Sequence, residues 1–213
     1  MGETERRCVV ISASPDNNPN HIRKSVRDTD YIICADGGVD AAARAGLKPD
    51  LIVGDLDSAE KPDSFPDVET IVLKTTKDDT DTMHCAGIAV EKGFKNILFL
   101  GCTGGRTDHT LANLSVLVYL AEKGADGIIS DEYNDICLLK DGVNIVNAAP
   151  GTTVSILPFG CDRAVLSYRG LVYPLDHGTV KLSYPYTISN VIADDHASVE
   201  LHSGKALLFY IKK

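Results

Sequence analysis

The chain has 213 residues, 44% hydrophobic and 24% charged, with 21 Lys and Arg against 30 Asp and Glu for a net charge of -9. A chain of this length buries roughly 70% of its unfolded surface, so it holds a substantial core. Its acidity argues against nucleic acid or an anionic membrane as the main partner, yet leaves open an anionic small substrate met through a divalent cation.

The first two thirds of the chain alternate. Short β-rich runs occur at "CVVISA" (8–13), "YIICA" (31–35), "LIVG" (51–54), "ETIVL" (69–73), "NILFLG" (96–101) and "GIIS" (127–130). Helical patterns lie between several of them. One covers residues 20–27, a second ("VDAAARAGLKP") stops at Gly46 and Pro49, and a third runs from Asp79 to Gly93. A fourth starts at Asp108, carries Leu111, Leu114, Leu117, Val118 and Ala121 on one face, and ends at Gly124. Strands alternating with helices of this length predict βαβ units and a parallel sheet. The near-continuous apolar strands predict burial on both faces.

After about residue 135 the texture changes. "DICLLKDGVNIVN" reads as a hairpin around Asp141-Gly142. The short Val-, Tyr- and Thr-rich runs that follow are punctuated by Gly, Pro and Asn, and no helical period survives. The expected fold is therefore α/β: an N-terminal parallel-sheet α/β domain, residues 1–144, and a C-terminal antiparallel β domain, residues 145–213.

Six cysteines (Cys8, Cys34, Cys85, Cys102, Cys137, Cys161) show no metal-like spacing and read as free thiols of a reducing cytoplasm. The apolar run near the charged N-terminus is too short for a secretion signal. No stretch approaches the ~18 apolar residues of a membrane span.

In a parallel α/β sheet, ligands bind beyond the carboxyl ends of the strands. Five strands here end in carboxylates, glycines or a lone arginine: "DGG" (36–38), "DLDS" (55–58), "KTTKDDTD" (74–81), "CTGGRTDH" (102–109) and "DEYND" (131–135). Asp55 and Asp57, extended, sit about 6.6 Å apart at Cα on one side of the chain, where they can share one Mg²⁺. As turn formers they need no ligand. Asp79, Asp81 and Asp108 open helices, where an Asp also serves as a cap. Gly37 and Gly38 permit either a tight turn or close approach to phosphate. Gly104 and Gly105, followed by Arg106 and a helix start, form an expected anion cradle, with Arg106 recognising phosphate through two donors. His109 reads as structural. Neither G-x-x-x-x-G-K-[ST] nor G-x-G-x-x-G is present. Carboxylates gathered at one rim repel each other and a polyphosphate unless Mg²⁺ lies between, so the pattern points to a metal-polyphosphate site.

The ordered set "ADGG" (35–38), "PDLIVGDLDS" (49–58), "KDDTDT" (77–82), "GGRTDHTLANL" (104–114) and "TISN" (187–190) resembles the thiamine pyrophosphokinase family over nearly the whole chain. The resemblance implies a β-sandwich-like C-terminal domain, transfer of diphosphate from ATP to thiamine with release of AMP, Mg²⁺ as cofactor, and a homodimer with the thiamine site near the subunit interface. It implies that Asp36, Asp55, Asp57 and Asp81 hold Mg²⁺. It places Gly37, Gly38, Asp79, Gly104, Gly105, Arg106 and Asp108 on ATP, and Asp81, Ser189 and Asn190 on thiamine. Asp55, Asp57, Asp81 and Arg106 form the implied catalytic set, with Asp81 first in line to receive the hydroxyl proton. Some relatives stack a Trp near thiamine. This chain has none, so Tyr184 or Tyr186 would substitute. The first loop, "SASPDNN", lacks the Gly-rich turn of some members. Alternatives are diphosphate transfer to another alcohol such as a hydroxymethylpterin, glycosyl transfer through the D-x-D pair, and a non-catalytic nucleotide sensor. Glycosyl transfer leaves the other acidic loops without a role.

Overall fold

The apolar runs of the first two thirds become parallel strands, with those at the centre of the sheet withdrawn from solvent. The computed structural model describes residues 6–55, 64–73 and 79–212, and the chain divides into two compact units, Met1–Glu132 and Tyr133–Lys213.

In the first unit the elements run β1 (Cys8–Ile11), α1 (Pro19–Ser25), β2 (Tyr31–Ala35), α2 (Gly38–Arg44), β3 (Leu51–Gly54), β4 (Glu69–Val72), α3 (Asp81–Glu91), β5 (Asn96–Leu100), α4 (Thr107–Glu122) and β6 (Asp126–Ser130). The strands pair in parallel in the order β6-β5-β1-β2-β3-β4. Every residue of β1 and β3 is buried, as expected for strands covered on both faces. The edge strand β4 differs: Glu69, Thr70 and Val72 are exposed, and among the described residues it pairs with β3 alone.

Right-handed crossovers fix the faces. The chain steps one way from β1 through β2 and β3 to β4, then returns across the sheet to β5 and β6. Val9, Ile11, Ile32 and Cys34 pack with Ile22 of α1 and Val39, Ala41 and Ala42 of α2. The return connections put α3 and α4 on the opposite face, where Cys85, Ala86, Ala89, Leu117 and Leu120 are buried. On α4 the expected apolar stripe shifts. Leu111 is 57% exposed, whereas Asn113 is buried because its Nδ2 donates to Cys102 O at 2.8 Å.

Glycine has a clear task at two positions. A Cβ on Gly38 would collide with the Ile11 carbonyl, so α2 crosses the end of β1 at backbone contact. Gly54, at φ 157°, has the Asp36 Cα 2.8 Å from where its Cβ would stand.

The second unit is all β: β7 (Asn134–Leu138), β8 (Gly142–Ile145), β9 (Thr153–Pro158), β10 (Arg163–Arg169), β11 (Leu175–Lys181), β12 (Asn190–Val191), β13 (Ser198–Ser203) and β14 (Ala206–Ile211). Antiparallel pairing runs β12-β9-β14-β7 in one layer and β11-β10-β13-β8 in the other. One core joins the layers, built on Val154, Ile156, Leu166, Val180, Val199, Leu201 and Leu208. The hairpin expected around Asp141-Gly142 does not form. β7 pairs with β14 and β8 pairs with β13, in different layers. Residues 133–144 fall within the second unit, while the sequence reading sets the boundary at 144/145. Non-local strand pairing, invisible to local pattern, makes the difference.

All six cysteines are free, as expected. Burial pushes the Cys8 and Cys102 thiols up to about 12 and those of Cys34 and Cys85 well above their ordinary range. Among the described residues, no helix is long and apolar enough to cross a membrane.

Candidate active site

The strand order of the first unit reverses between β1 and β5, and a doubly wound sheet opens a crevice at such a point, beyond the carboxyl ends of the strands. A cleft of about 640 Å³ lies there, within the range of small-molecule sites. Its walls come from three strand ends and two helices. Ser12, Ala13, Ser14 and Pro15 follow β1; Ala35 and Asp36 close β2; Asp79 to Thr82 open α3; Gly101, Cys102, Gly104, Gly105 and Arg106 follow β5; His109 and Asn113 stand on α4.

Asp36, Asp79, Asp81, Gly104, Gly105 and Arg106 are therefore brought together, as the rim pattern predicts. Asp36 takes a left-handed conformation, φ 49°, with its N–H bonded to Val53 O at 2.8 Å. Asp tolerates this region better than most residues. The β2-to-α2 turn is held there by its neighbour β3, through the Gly54 contact described above.

Asp55 sits at the end of β3, half-buried, and is not among the lining residues. Asp57 and Asp78 lie outside the described residues. Gly37 and Gly38 are buried beneath the turn and do not line the cleft; the close approach that Gly38 permits is to the backbone of β1.

The capping role considered for Asp79 belongs to Thr80, whose hydroxyl accepts from Met83 N at 3.2 Å. Asp79 is left exposed, with His84 Nδ1 3.4 Å from its Oδ2. Asp81 is the first residue of α3, where a carboxylate gains from the positive end of the helix. Asp108 is the second residue of α4 rather than its N-cap. Arg106 holds the N-cap position of α4 without a capping hydrogen bond. Its guanidinium binds Asp108 through two donors, Nη2 to Oδ2 at 2.6 Å and Nε to Oδ1 at 3.2 Å. That bond pulls the Asp108 carboxyl down to about 2 and raises the Arg106 pKa.

The glycine turn also differs from a free cradle. Gly105 N–H donates to Asp16 Oδ2 at 2.9 Å. Loop 12–18 is thus part of the site, which the sequence reading missed because the loop lacks the glycines that mark phosphate turns. Beneath it, Ser12 Oγ lies 2.9 Å from Thr82 Oγ1 and accepts from Cys102 Sγ at 3.4 Å, linking the ends of β1 and β5 to the start of α3.

Lining charges are Asp36, Asp79 and Asp81 against Arg106, which is already matched by Asp108. Among the described residues no group of three or more His, Cys, Asp or Glu stands ready as a metal cage. Mg²⁺ commonly needs less: one or two carboxylates with phosphate oxygens and water complete its shell. Asp36 and Asp81, hard oxygen donors in one cleft, fit that demand.

In the second unit, "TISN" forms the segment entering β12. Ser189 is exposed at φ 58°, its N–H donating to Ser155 Oγ at 2.9 Å. Asn190 is buried, and its amide is engaged with backbone: Oδ1 accepts from Tyr173 N (3.0 Å) and Val191 N (2.9 Å), and Nδ2 donates to Tyr173 O (2.8 Å). Thr187 Oγ1 likewise donates to Ile156 O.

Residues 22–129 match the family model described as thiamin pyrophosphokinase, catalytic domain, and residues 143–207 match its vitamin B1 binding domain. The chain belongs to the thiamine pyrophosphokinase family. It is 28% identical over 210 residues to thiamine pyrophosphokinase of Bacillus subtilis, covering 95% of this chain and 96% of that one. It is 24% identical over 217 residues to thiamin pyrophosphokinase 1 of Caenorhabditis elegans, covering 96% and 88%. The crystal structure of the Bacillus subtilis thiamine pyrophosphokinase superposes with a TM-score of 0.88 at 23% identity, covering 98% of this chain and all of that one, which shows the shared fold. The comparisons favour neither the hydroxymethylpterin acceptor nor the non-catalytic sensor. As a member of the thiamine pyrophosphokinase family the chain is an enzyme that makes thiamine diphosphate, with ATP as co-substrate.

Proposed function

We propose that the cleft between the ends of β1 and β5 binds ATP with Mg²⁺ and transfers its terminal diphosphate to the primary hydroxyl of thiamine. The observation that carries this reading is the convergence of Asp36, Asp79, Asp81 and Arg106 on one cleft of a chain from this family.

In the reaction the thiamine hydroxyl oxygen forms a bond to the β-phosphorus of ATP. The bond from that phosphorus to the α,β-bridging oxygen breaks, and the oxygen leaves with AMP. Asp81, at the mouth of α3, receives the hydroxyl proton. Arg106 meets the phosphates with a planar pair of donors, and Asp108 holds that plane in orientation. Positioning and charge neutralisation supply most of the acceleration in such transfers. Bound Mg²⁺ would neutralise phosphate charge; Asp36 and Asp81 would hold it, with Asp55 and Asp57 as the family assignment extends them. Asp79, on the same wall, completes the acidic side of the nucleotide site. An acidic cleft also favours approach of the cationic thiamine.

Ser189 is the member of the "TISN" pair with an exposed side chain for thiamine, and Asn190 sets its backbone. Tyr184 and Tyr186, 72% and 48% exposed, offer the aromatic surface that a Trp supplies elsewhere. They belong to a run of exposed apolar residues with Val172, Tyr173, Leu182 and Ile188. Such a concentration marks a protein interface and supports a homodimer with the thiamine site beside it. The same chemistry fits a cytoplasmic enzyme.

The test is product analysis with thiamine, ATP and Mg²⁺. Thiamine diphosphate and AMP are expected in equal amounts. ADP as the nucleotide product, or ATP bound without turnover, would refute the proposal.

A further inference from the structure

Three glycines of the loop after β5 make room for a neighbouring loop of the same chain. A Cβ on Gly101 would overlap Asn17 Oδ1 and Ser12 O, one on Gly104 would overlap Asp16 Oδ2, and one on Gly105 would stand 2.8 Å from Pro15 Cδ. All three have positive φ, at 67°, 90° and 59°. The residues that meet them belong to loop 12–18.

The two loops are also bonded. Ser14 N donates to Gly101 O at 3.1 Å, and Ser14 Oγ donates to Thr103 O. The same hydroxyl accepts from Asp16 N at 3.2 Å, which orients the Asp16 carboxylate toward Gly105 N. Thr103 Oγ1 in turn donates to Asp131 Oδ2 at 2.7 Å, tying the loop after β5 to the end of β6. Pro15, Gly104, Gly105 and Arg106 line the cleft; Asp16 does not.

We propose that Asp16 is a positioning residue for the phosphate side of the site: its carboxylate anchors the Gly104–Gly105 turn from outside the cleft and so sets where Arg106 stands at the head of α4. The proposal rests on the reading that Arg106 meets the phosphates of ATP. A charge-assisted bond to a backbone N–H suits the task, because it is directional and roughly twice as strong as a neutral one. A carboxylate here also repels any phosphate that strays outside the cleft, so the anchor narrows the anion's choice of partners to Arg106 and the metal-bearing wall.

The test is steady-state kinetics of the full chain. Asp16→Ala is expected to raise the KM for MgATP about tenfold, the equivalent of one lost charge-assisted hydrogen bond. The KM for thiamine stays within about twofold and kcat within about threefold on the same reasoning. Asp16→Asn keeps an acceptor for Gly105 N–H and is expected to restore most of the affinity. Asp16→Glu keeps the charge but displaces the acceptor, and is expected to remain impaired. Should Asp16→Ala fold poorly, the Asn and Glu variants carry the test alone. An unchanged KM for MgATP, an equal rise in both KM values, or a Glu variant better than the Asn variant would each overturn the proposal. Arg106→Ala separates the two readings. If it leaves the KM for MgATP unchanged, the nucleotide reading fails whatever Asp16 does. If it raises the KM, Asp16→Ala adds little in the Arg106→Ala background; full additivity would show that Asp16 does not act through Arg106.

Discussion

The two regions assigned to substrates are built in opposite ways. In the first unit the proposed chemistry sits on loops that leave a parallel sheet, and glycines let neighbouring loops close in, Gly54 on the Asp36 backbone and Gly104 on the Asp16 carboxylate. In the second unit the segment 182–189 between β11 and β12 is largely exposed, and its fixed points are a few buried polar side chains, Thr187 and Asn190, that bond to main chain. A charged polyanion needs donors and carboxylates preset to a fraction of an ångström, because transition-state charge is matched by groups that do not reorganise. An exposed, aromatic-rich segment instead suits recognition by contact area. In the proposed reading Asp36, Asp81 and Arg106 meet the nucleotide directly, while Thr187 and Asn190 of the second region serve the backbone.

Asp81→Asn would break this contrast most forcefully. Loss of a proton-accepting carboxylate is expected to lower kcat by about 100-fold or more, with a thermal midpoint within a few degrees of the parent. Near-normal turnover would remove Asp81 from the mechanism. Next comes the pair in the second unit. Asn190→Ala leaves the Tyr173 N–H and C=O without their partner and is expected to cost about 1–3 kcal/mol of stability, read as a lowered denaturation midpoint. Ser189→Ala should leave stability intact and raise the KM for thiamine severalfold. If the two variants exchanged phenotypes, the division between backbone support and ligand contact would be wrong.

A smaller effect concerns pH. Arg106 holds the Asp108 carboxyl at about 2 in the folded state, below its ordinary 3.8. A depressed carboxyl pKa contributes stability that is present above the unfolded value and is lost as pH falls through the folded one. The Arg106–Asp108 pair therefore stays charged down to mild acid, and NMR titration should find the Asp108 carboxylate ionised throughout the neutral range. Arg106→Ala should return its midpoint toward the ordinary value. The mildest expectation is chemical. With burial raising the thiols of Cys8, Cys34, Cys85 and Cys102, a thiolate-directed reagent at pH 8 should label only Cys137 and Cys161 in the native protein. Rapid labelling of Cys102 would show that the cleft floor opens.

The acidic rim was legible because strand ends and their polar successors are adjacent in sequence: "YIICADGG" carries both the buried strand and the Asp36 turn. The division into an α/β part and an all-β part was legible from period and punctuation. Less legible was which glycine served what. Gly38, Gly104 and Gly105 look alike in sequence as phosphate turns, yet Gly38 admits the Ile11 carbonyl and the other two admit loop 12–18. Asn190 reads as a ligand in a motif, while its amide is engaged with Tyr173 and Val191.

The hydrophobic period, the strand-end carboxylates and the ordered motifs belong to the sequence alone, since each depends on residues within a few positions of one another. Strand order belongs to the tertiary structure. Placing β1 between β5 and β2 opens the crevice at loops 12–18 and 101–106 and brings Asp16 beside Gly105, and pairing with β14 and β13 parts β7 from β8. No local pattern encodes these neighbours, because they arise from pairing and crossover handedness between segments up to about ninety residues apart, as with Ser14 and Thr103.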